Sequence, residues 1–271
     1  MALSSSALVS LPDLKQYLGT SVRTDDVILE ACIERASGAV ERYCGRKFQL
    51  TRYFEWHSAN EAGRIRLKQA PVSSVRAVLV GSQSLMTVAS TISTDAFKSV
   101  TVLEDEMLLT RMTSAGASVS TTIDFDQYET ISEVAAQVNA TTGFSATSLL
   151  DAPARHLRKV AGRELRNSTA YLEGPTDSLA DYAIDYDTGI VYGGTYGGEL
   201  AVLVDYTAGF SRIPDDVKQA ALHVAARYYR DRTRDSGLAS ESLGGYSYSR
   251  RSVAEIKEEM SEMLSGWRTI R

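Results

Sequence analysis

The clearest hydrophobic pattern in the chain lies between Thr24 and Gly45, where Leu29, Ile33, Ala36, Val40 and Tyr43 recur at alternating spacings of four and three. That period puts them on one face of a helix. Thr24 can cap its first turn, Asp25 and Asp26 suit the positive end of its dipole, and Gly45 supplies a left-handed stop. A shorter helix is expected from Leu11 to Leu18, closed by Gly19. Another opens at Pro214, with Asp215 and Asp216 in its first turn, and runs to Thr233 with Val217, Ala221, Val224 and Tyr228 as its buried stripe.

From Phe48 the pattern changes to β-branched and aromatic residues in QLTRYFEWH, GRIRLKQAPV and SSVRAVLVG, which read as strands between turns. Residues 81–179 are richer in Ser, Thr and Ala, with alternating stretches such as SVTVLEDEMLLTRM and SVSTTIDF and one helix through Tyr128, Ile131, Val134 and Val138. They read as a separate β-rich unit. Strands at Tyr182 to Tyr186 and Leu200 to Tyr206 then return the chain to its first core. After the helix at Pro214 comes a Gly, Ser and Tyr stretch, SGLASESLGGYSYSRR, and then a last helix. Ser252 and Glu255 match a capping box there, and Ile256, Met260, Met263 and Trp267 form a seam narrower than the face of an ordinary core helix.

Composition narrows the classes of function. The 271 residues include 29 Lys plus Arg against 34 Asp plus Glu, a net charge of −5, which excludes a polyanion binder driven by net charge alone. With 44% hydrophobic and 23% charged residues the chain is expected to fold, and its length suggests two cores. The first residues, MALSSSALVSLPDL, lack the basic start of a secretory signal, and no stretch approaches the ~18 apolar residues of a membrane span, so a soluble protein without membrane partners is expected. Cys32 and Cys44 fall on one helix, ~18 Å apart at 1.5 Å per residue, too far for a disulfide. They are expected as small buried side chains in a reducing compartment.

Little in the sequence suggests catalysis. His57, His156 and His223 are scattered, and there is no nucleophile elbow, zinc-binding helix or cysteine pair at zinc spacing. GIVYGGTYGGE lacks the Gly-Lys-Ser/Thr ending of a phosphate loop and reads as a hairpin turn. Asp185, Asp187 and Gly189 resemble the start of a calcium loop, but Tyr196 stands where the closing Glu is needed, so an Asp-rich turn is expected. Asp124 and Asp126 read as a strand end leading into a helix. We expect no enzyme, cofactor or metal. Arg227, Arg230, Arg232 and Arg234 could contact phosphates, yet Asp231 and Asp235 interleave with them, which favours a solvated or subunit-facing surface. Tyr246 and Tyr248, followed by Arg250 and Arg251 in a Gly and Ser context, have the make-up of binding anchors.

Several segments in order resemble the head-to-tail adaptor (connector) family of tailed bacteriophages. They are LPDLKQYLGTSVRTDDVILEACIERASGAVERYCGR, LKQAPVSSVRAVLV, VLVDYTAGFSRIPDDVKQAALHVAARYYRDR, and SLGGYSYSRR followed by MLSGWR. The resemblance covers about residues 11–80 and 182–271. It implies a structural virion protein at the neck of the portal vertex, present in the host cytoplasm during assembly. It also implies a ring, usually of twelve subunits, that binds the portal protein after DNA packaging and extends the DNA channel, with double-stranded DNA passing non-specifically. Such a ring offers a platform to a stopper or tail-completion protein.

The fold implied is α+β: a helical ring-forming core with short antiparallel strands from residues 1–80 and 180–239, a β-rich inserted domain at 81–179, and a C-terminal amphipathic arm at 240–271. Tyr246, Tyr248, Arg250, Arg251, Ile256, Met260, Met263, Trp267 and Arg268 would form the portal or subunit interface, and Arg227, Arg230, Arg232 and Arg234 the interface of the ring body. The inserted domain departs from the compact family pattern. The alternative is a DNA-binding packaging or regulatory protein that lays the helix at residues 214–233 in a groove; the acidic balance and the interleaved aspartates count against it.

Overall fold

The computed structural model describes residues 3–58, 63–165, 168–175, 177–193, 201–232, 240–243, 246–249 and 261–268, the two stretches between 240 and 249 as backbone. Its α-helices are α1 (Leu11–Leu18), α2 (Asp26–Cys44), α3 (Ile131–Ala140) and α4 (Asp215–Asp231). The strands begin with β1 (Thr51–His57), β2 (Arg64–Arg66), β3 (Val72–Val80), β4 (Gln83–Ser90), β5 (Phe97–Val102), β6 (Glu106–Met112), β7 (Ser118–Asp124) and β8 (Phe144–Ser148). They continue with β9 (Val160–Glu164), β10 (Ala170–Gly174), β11 (Asp177–Ser178), β12 (Tyr182–Asp185), β13 (Ile190–Gly193), β14 (Val202–Ala208), β15 (Ser240–Leu243) and β16 (Tyr246–Ser249). A helical stretch at 261–264 ends in a tight turn at Ser265–Trp267.

The helical ring-forming core expected from sequence is therefore corrected. The chain is α+β overall, but it is rich in antiparallel sheet, and its strands outnumber its helices. The helices announce themselves by local periodicity. Most of the strands are short and find partners far along the chain, so their share of the fold was underestimated.

Two compact units result: Met1–Thr51, Lys68–Ser73 and Ala208–Arg271 in the first, Arg52–Leu67 and Ser74–Thr207 in the second. In the first unit α1 starts with a capping box, in which the Ser10 hydroxyl accepts from the Asp13 N–H and the Asp13 carboxylate accepts from the Ser10 N–H. The Ser10 hydroxyl also donates to Asp13, which holds that carboxyl below its ordinary range. Helix α2 starts after Asp25, whose side chain makes no capping bond to the backbone, so the expected Thr24 cap is corrected. It ends as expected at Gly45, in the left-handed conformation at φ 69°. Pro214 is the N-cap of α4 and so stands just before the first helical turn.

Leu14, Leu29, Ile33, Ala36, Val40, Phe48, Val217, Ala221 and Leu264 belong to one core. Cys32 and Cys44 are buried and unbridged; burial pushes the Cys44 thiol up to about 11. No helix among the described residues is long and apolar enough to cross a membrane.

The second unit is built on strand pairing. Strands β4, β8 and β10 form an antiparallel sheet in the order β10-β4-β8, and β7-β6-β5-β9 form another. Their inward residues, including Met86, Val88, Val100, Leu109, Ile123 and Leu172, close a core with Ile131, Val134 and Val138 of α3. That helix is capped by Thr130 and Glu133 as a reciprocal pair, a T-x-x-E signal overlooked in the sequence. Tyr128 lies before the helix and packs against the same core from a partly buried position. The remaining strands of the unit give the orders β1-β14-β3-β11 and β12-β13-β2.

Candidate assembly surface

The C-terminal residues are positioned by a close backbone approach in the first unit. Phe210 N–H donates to Phe48 O at 2.9 Å, and Gly209 N–H donates to Pro71 O at 3.0 Å. Gly209 has φ 113°, and a Cβ there would collide with the backbone carbonyl of Gln49, so the approach requires glycine on two counts. It sets the Phe48 and Phe210 rings side by side, 6.0 Å apart. Trp267 meets both rings edge to face, at 6.2 Å from Phe48 and 5.5 Å from Phe210. Leu264 is completely buried in the same core, and Met263 packs against it. The guanidinium of Arg268 lies 5.2 Å from the centre of the Tyr43 ring.

Met263, Trp267 and Arg268 are thus seated on their own unit. Tyr246 and Tyr248 lie on β16, opposite Leu243 and Glu241 of β15 in an antiparallel hairpin. Arg250, Arg251, Ile256 and Met260, with the expected Ser252 and Glu255 cap, lie outside the described residues. Phe48, Phe210, Gly209 and Leu264 were not singled out from sequence. They are isolated positions in loops and element ends, where no period marks them.

Two of the four arginines expected at the ring-body interface make side-chain pairs within the chain. Arg227 pairs with Asp231 one turn on, at 3.4 Å. Arg232 donates to the Asp25 carboxylate at 3.0 Å and lies over the Tyr229 ring. The Tyr229 hydroxyl donates to the same carboxylate, which holds the phenol above its ordinary range. Arg230 is exposed, and Arg234 lies outside the described residues.

The histidines do not converge on a site. His223, in the first unit, packs against Tyr17 at 5.4 Å between ring centres. In the second unit His57 meets Glu55 at 3.1 Å, and Glu55 accepts a hydrogen bond from Tyr206 at 2.6 Å. His156 packs on Phe54, and burial holds its imidazole below the ordinary range. The Arg52 and Asp205 side chains form a two-bonded pair at 2.6 and 2.8 Å. Asp185 accepts from the N–H groups of Asp187 and Thr188, as an Asp-rich turn does. Among the described residues no three His, Cys, Asp or Glu side chains are grouped to hold a metal.

These features describe an α+β protein with two cores. No protein-family model matches the chain, and no curated protein matches it. Among solved structures it is similar to a chain from the neck of an empty gene transfer agent particle computed with C6 symmetry. The identity is 17% and the TM-score 0.40, over 100% of this chain and 94% of that one. A chain from the neck of the native particle computed with C12 symmetry gives 17% and 0.40 over 100% and 93%. One from the virion of the native particle gives 18% and 0.38 over 100% and 94%. Likeness at this level does not by itself define a family.

Proposed function

We propose that this chain is a structural, non-catalytic protein of a virion neck, a head-to-tail adaptor that assembles as a ring on the portal, extends the DNA channel and offers a platform to the next neck or tail component. One observation carries the reading. The stretches that resemble the adaptor family, residues 11–80 and 182–271, are separated by residues 81–181, yet the first helices, α4 and the C-terminal residues 261–268 meet in a single core. Residues 1–80 and 180–239 are proposed as the adaptor core, 81–179 as an insertion and 240–271 as the arm, a division along the chain in which 52–67, 74–80 and 180–207 pack in the second unit and not, as expected from sequence, in the first. Trp267 and Leu264 would root the arm on its own subunit, leaving Tyr246, Tyr248, Arg250, Arg251, Ile256 and Met260 for the portal. Arg227, Arg230, Arg232 and Arg234 would face the neighbouring subunit. Rings of a chain with net charge −5 suit passing DNA, because each phosphate neutralised by Lys or Arg adds affinity that slows sliding.

Cryo-electron microscopy of filled particles carrying this protein tests the reading directly, with a ring at the portal vertex as the expected density. Alanine in place of Tyr246, Tyr248, Arg250 and Arg251, which leaves Leu264 and Trp267 in their core, should give particles that fill with DNA and retain no adaptor. Adaptor retained at wild-type occupancy would move the portal grip to the body. Tight binding of the isolated protein to duplex DNA, with a steep loss on adding salt, would replace this reading by that of a DNA-binding protein.

A further inference from the structure

The first unit holds a groove of about 760 Å³ at the C-terminal end of α2, lined by Glu41, Arg42, Tyr43, Arg46, Lys47 and Arg268 among others. Its four cations and one carboxylate carry +3 in a chain of net −5, so the rest of the protein carries −8. Glu41 is the unusual member. Its side chain is 6% exposed, Oε2 accepts from Lys47 Nζ at 2.6 Å, and the enclosed Oε1 has no hydrogen-bond partner among the described residues. A buried carboxylate oxygen without a donor is costly, and an incoming N–H or O–H would satisfy it. Lys47 is about half exposed, so its ammonium can turn toward an incoming group and open the carboxylate beneath it.

The chemistry of the occupant follows from what the groove lacks. The guanidinium and ammonium groups call for carboxylates or phosphates, while Glu41 calls for an N–H or O–H donor. The phosphate and sugar backbone of duplex DNA offers only acceptors and would be repelled by Glu41. An acidic polypeptide segment offers both, a side-chain carboxylate for Lys47 and the arginines and a backbone N–H for Glu41.

We infer that this groove docks an acidic segment of a neighbouring copy of the same chain, so that the Lys47 and Glu41 pair within one subunit is exchanged for pairs between subunits. The inference rests on the ring reading above. A second copy is the occupant because the rest of the same chain, at −8, is complementary in charge to the groove.

Mixed ¹⁴N and ¹⁵N protein treated with a carbodiimide, which joins amines to carboxylates in direct contact, should give a cross-link from Lys47 to an Asp or Glu of the other isotope. Arg42 and Arg268 are exposed, so Arg42→Glu with Arg268→Glu should fold. That variant should weaken self-association in 50 mM salt, read by sedimentation equilibrium, at least tenfold, and Arg42→Gln with Arg268→Gln should weaken it less. Wild-type rings together with unchanged association of the charge-reversed variant would overturn the groove inference and leave the ring reading standing. A wild-type protein that never self-associates, free or on filled particles, would overturn both. Binding of a 20-base-pair duplex that the charge reversal abolishes, without the Lys47 cross-link, would assign the groove to nucleic acid instead.

Discussion

The two units build their cores by opposite routes. In the second, the buried cluster runs from Leu85 to Leu172, and many of its contacts join neighbouring hairpin strands such as β5, β6 and β7. In the first, the cluster runs from Leu8 to Phe48, resumes only at Phe210 and Ile213, and closes on Leu264. A core gathered from chain ends must bear a larger loop-closure entropy before its contacts form. The comparison teaches that the part of this protein most legible as local pattern, its helices, is the part whose assembly is least local.

The largest effects should come from the aromatic residues at the heart of each core. Phe48→Ala and Phe125→Ala remove rings that are 0% and 2% exposed, and each should cost about 3–5 kcal/mol. Hydrogen exchange should show loss of protection at residues 8–44 and 213–231 for the first, and at 85–172 for the second. If Phe48→Ala loosened both sets equally, the two cores would be one cooperative body and the contrast would fail.

Gly209→Ala comes next. It forces a side chain into a left-handed backbone against Gln49 and should cost about 1–3 kcal/mol, with the Trp267 fluorescence shifting as its aromatic seat opens. Chemical denaturation followed at that signal measures it. An unchanged midpoint would mean that the approach of the two segments does not hold the C-terminal residues. Smaller still are the caps, one in each unit. Ser10→Ala and Thr130→Ala each remove a reciprocal pair and should cost about 1 kcal/mol.

Acid should separate the units by the pH range in which each loses stability. His156 has a depressed pKa, so the unfolded second unit takes up a proton first and its stability falls as pH drops through and below the ordinary histidine range. Asp13 is depressed as a carboxyl, so its contribution to the first unit is present above the ordinary carboxylate range and is lost only as pH falls through its lower folded value. Between pH 7 and 5 the second unit should therefore lose stability from this source while the Asp13 contribution persists, and His156→Asn should flatten the decline. Unfolding followed by hydrogen exchange at the two pH values checks it.

How much of this was legible in advance varies by residue. The stripe Leu29, Ile33, Ala36 and Val40, the stop at Gly45 and the stripe on α4 stand where their spacing put them. The cap of α2 was misplaced by one residue because Thr24, Asp25 and Asp26 are all capping types in a row and only backbone geometry distinguishes them. The prominence of helix over sheet was misjudged, since a strand such as β4 draws its stability from β8 and β10, 54 and more residues away by register, and nothing in its own eight positions names them. Of the candidate interface, the seam residues Met263 and Trp267 were visible as an apolar pair, but Leu264 between them was not, because a single buried leucine in a short stretch has no period to betray it.

By itself the sequence determined what depends on neighbours in the chain: helix faces, glycine stops, the Asp185 turn and the net charge. Only the tertiary structure decided which strands pair, that Phe48, Phe210 and Trp267 share one aromatic seat, and that Glu41 is buried beside Lys47 with one oxygen lacking a donor among the described residues. The reason is physical. Capping, turn formation and amphipathic spacing act over a few bonds, whereas burial and ion pairing depend on which distant segments the chain closes together.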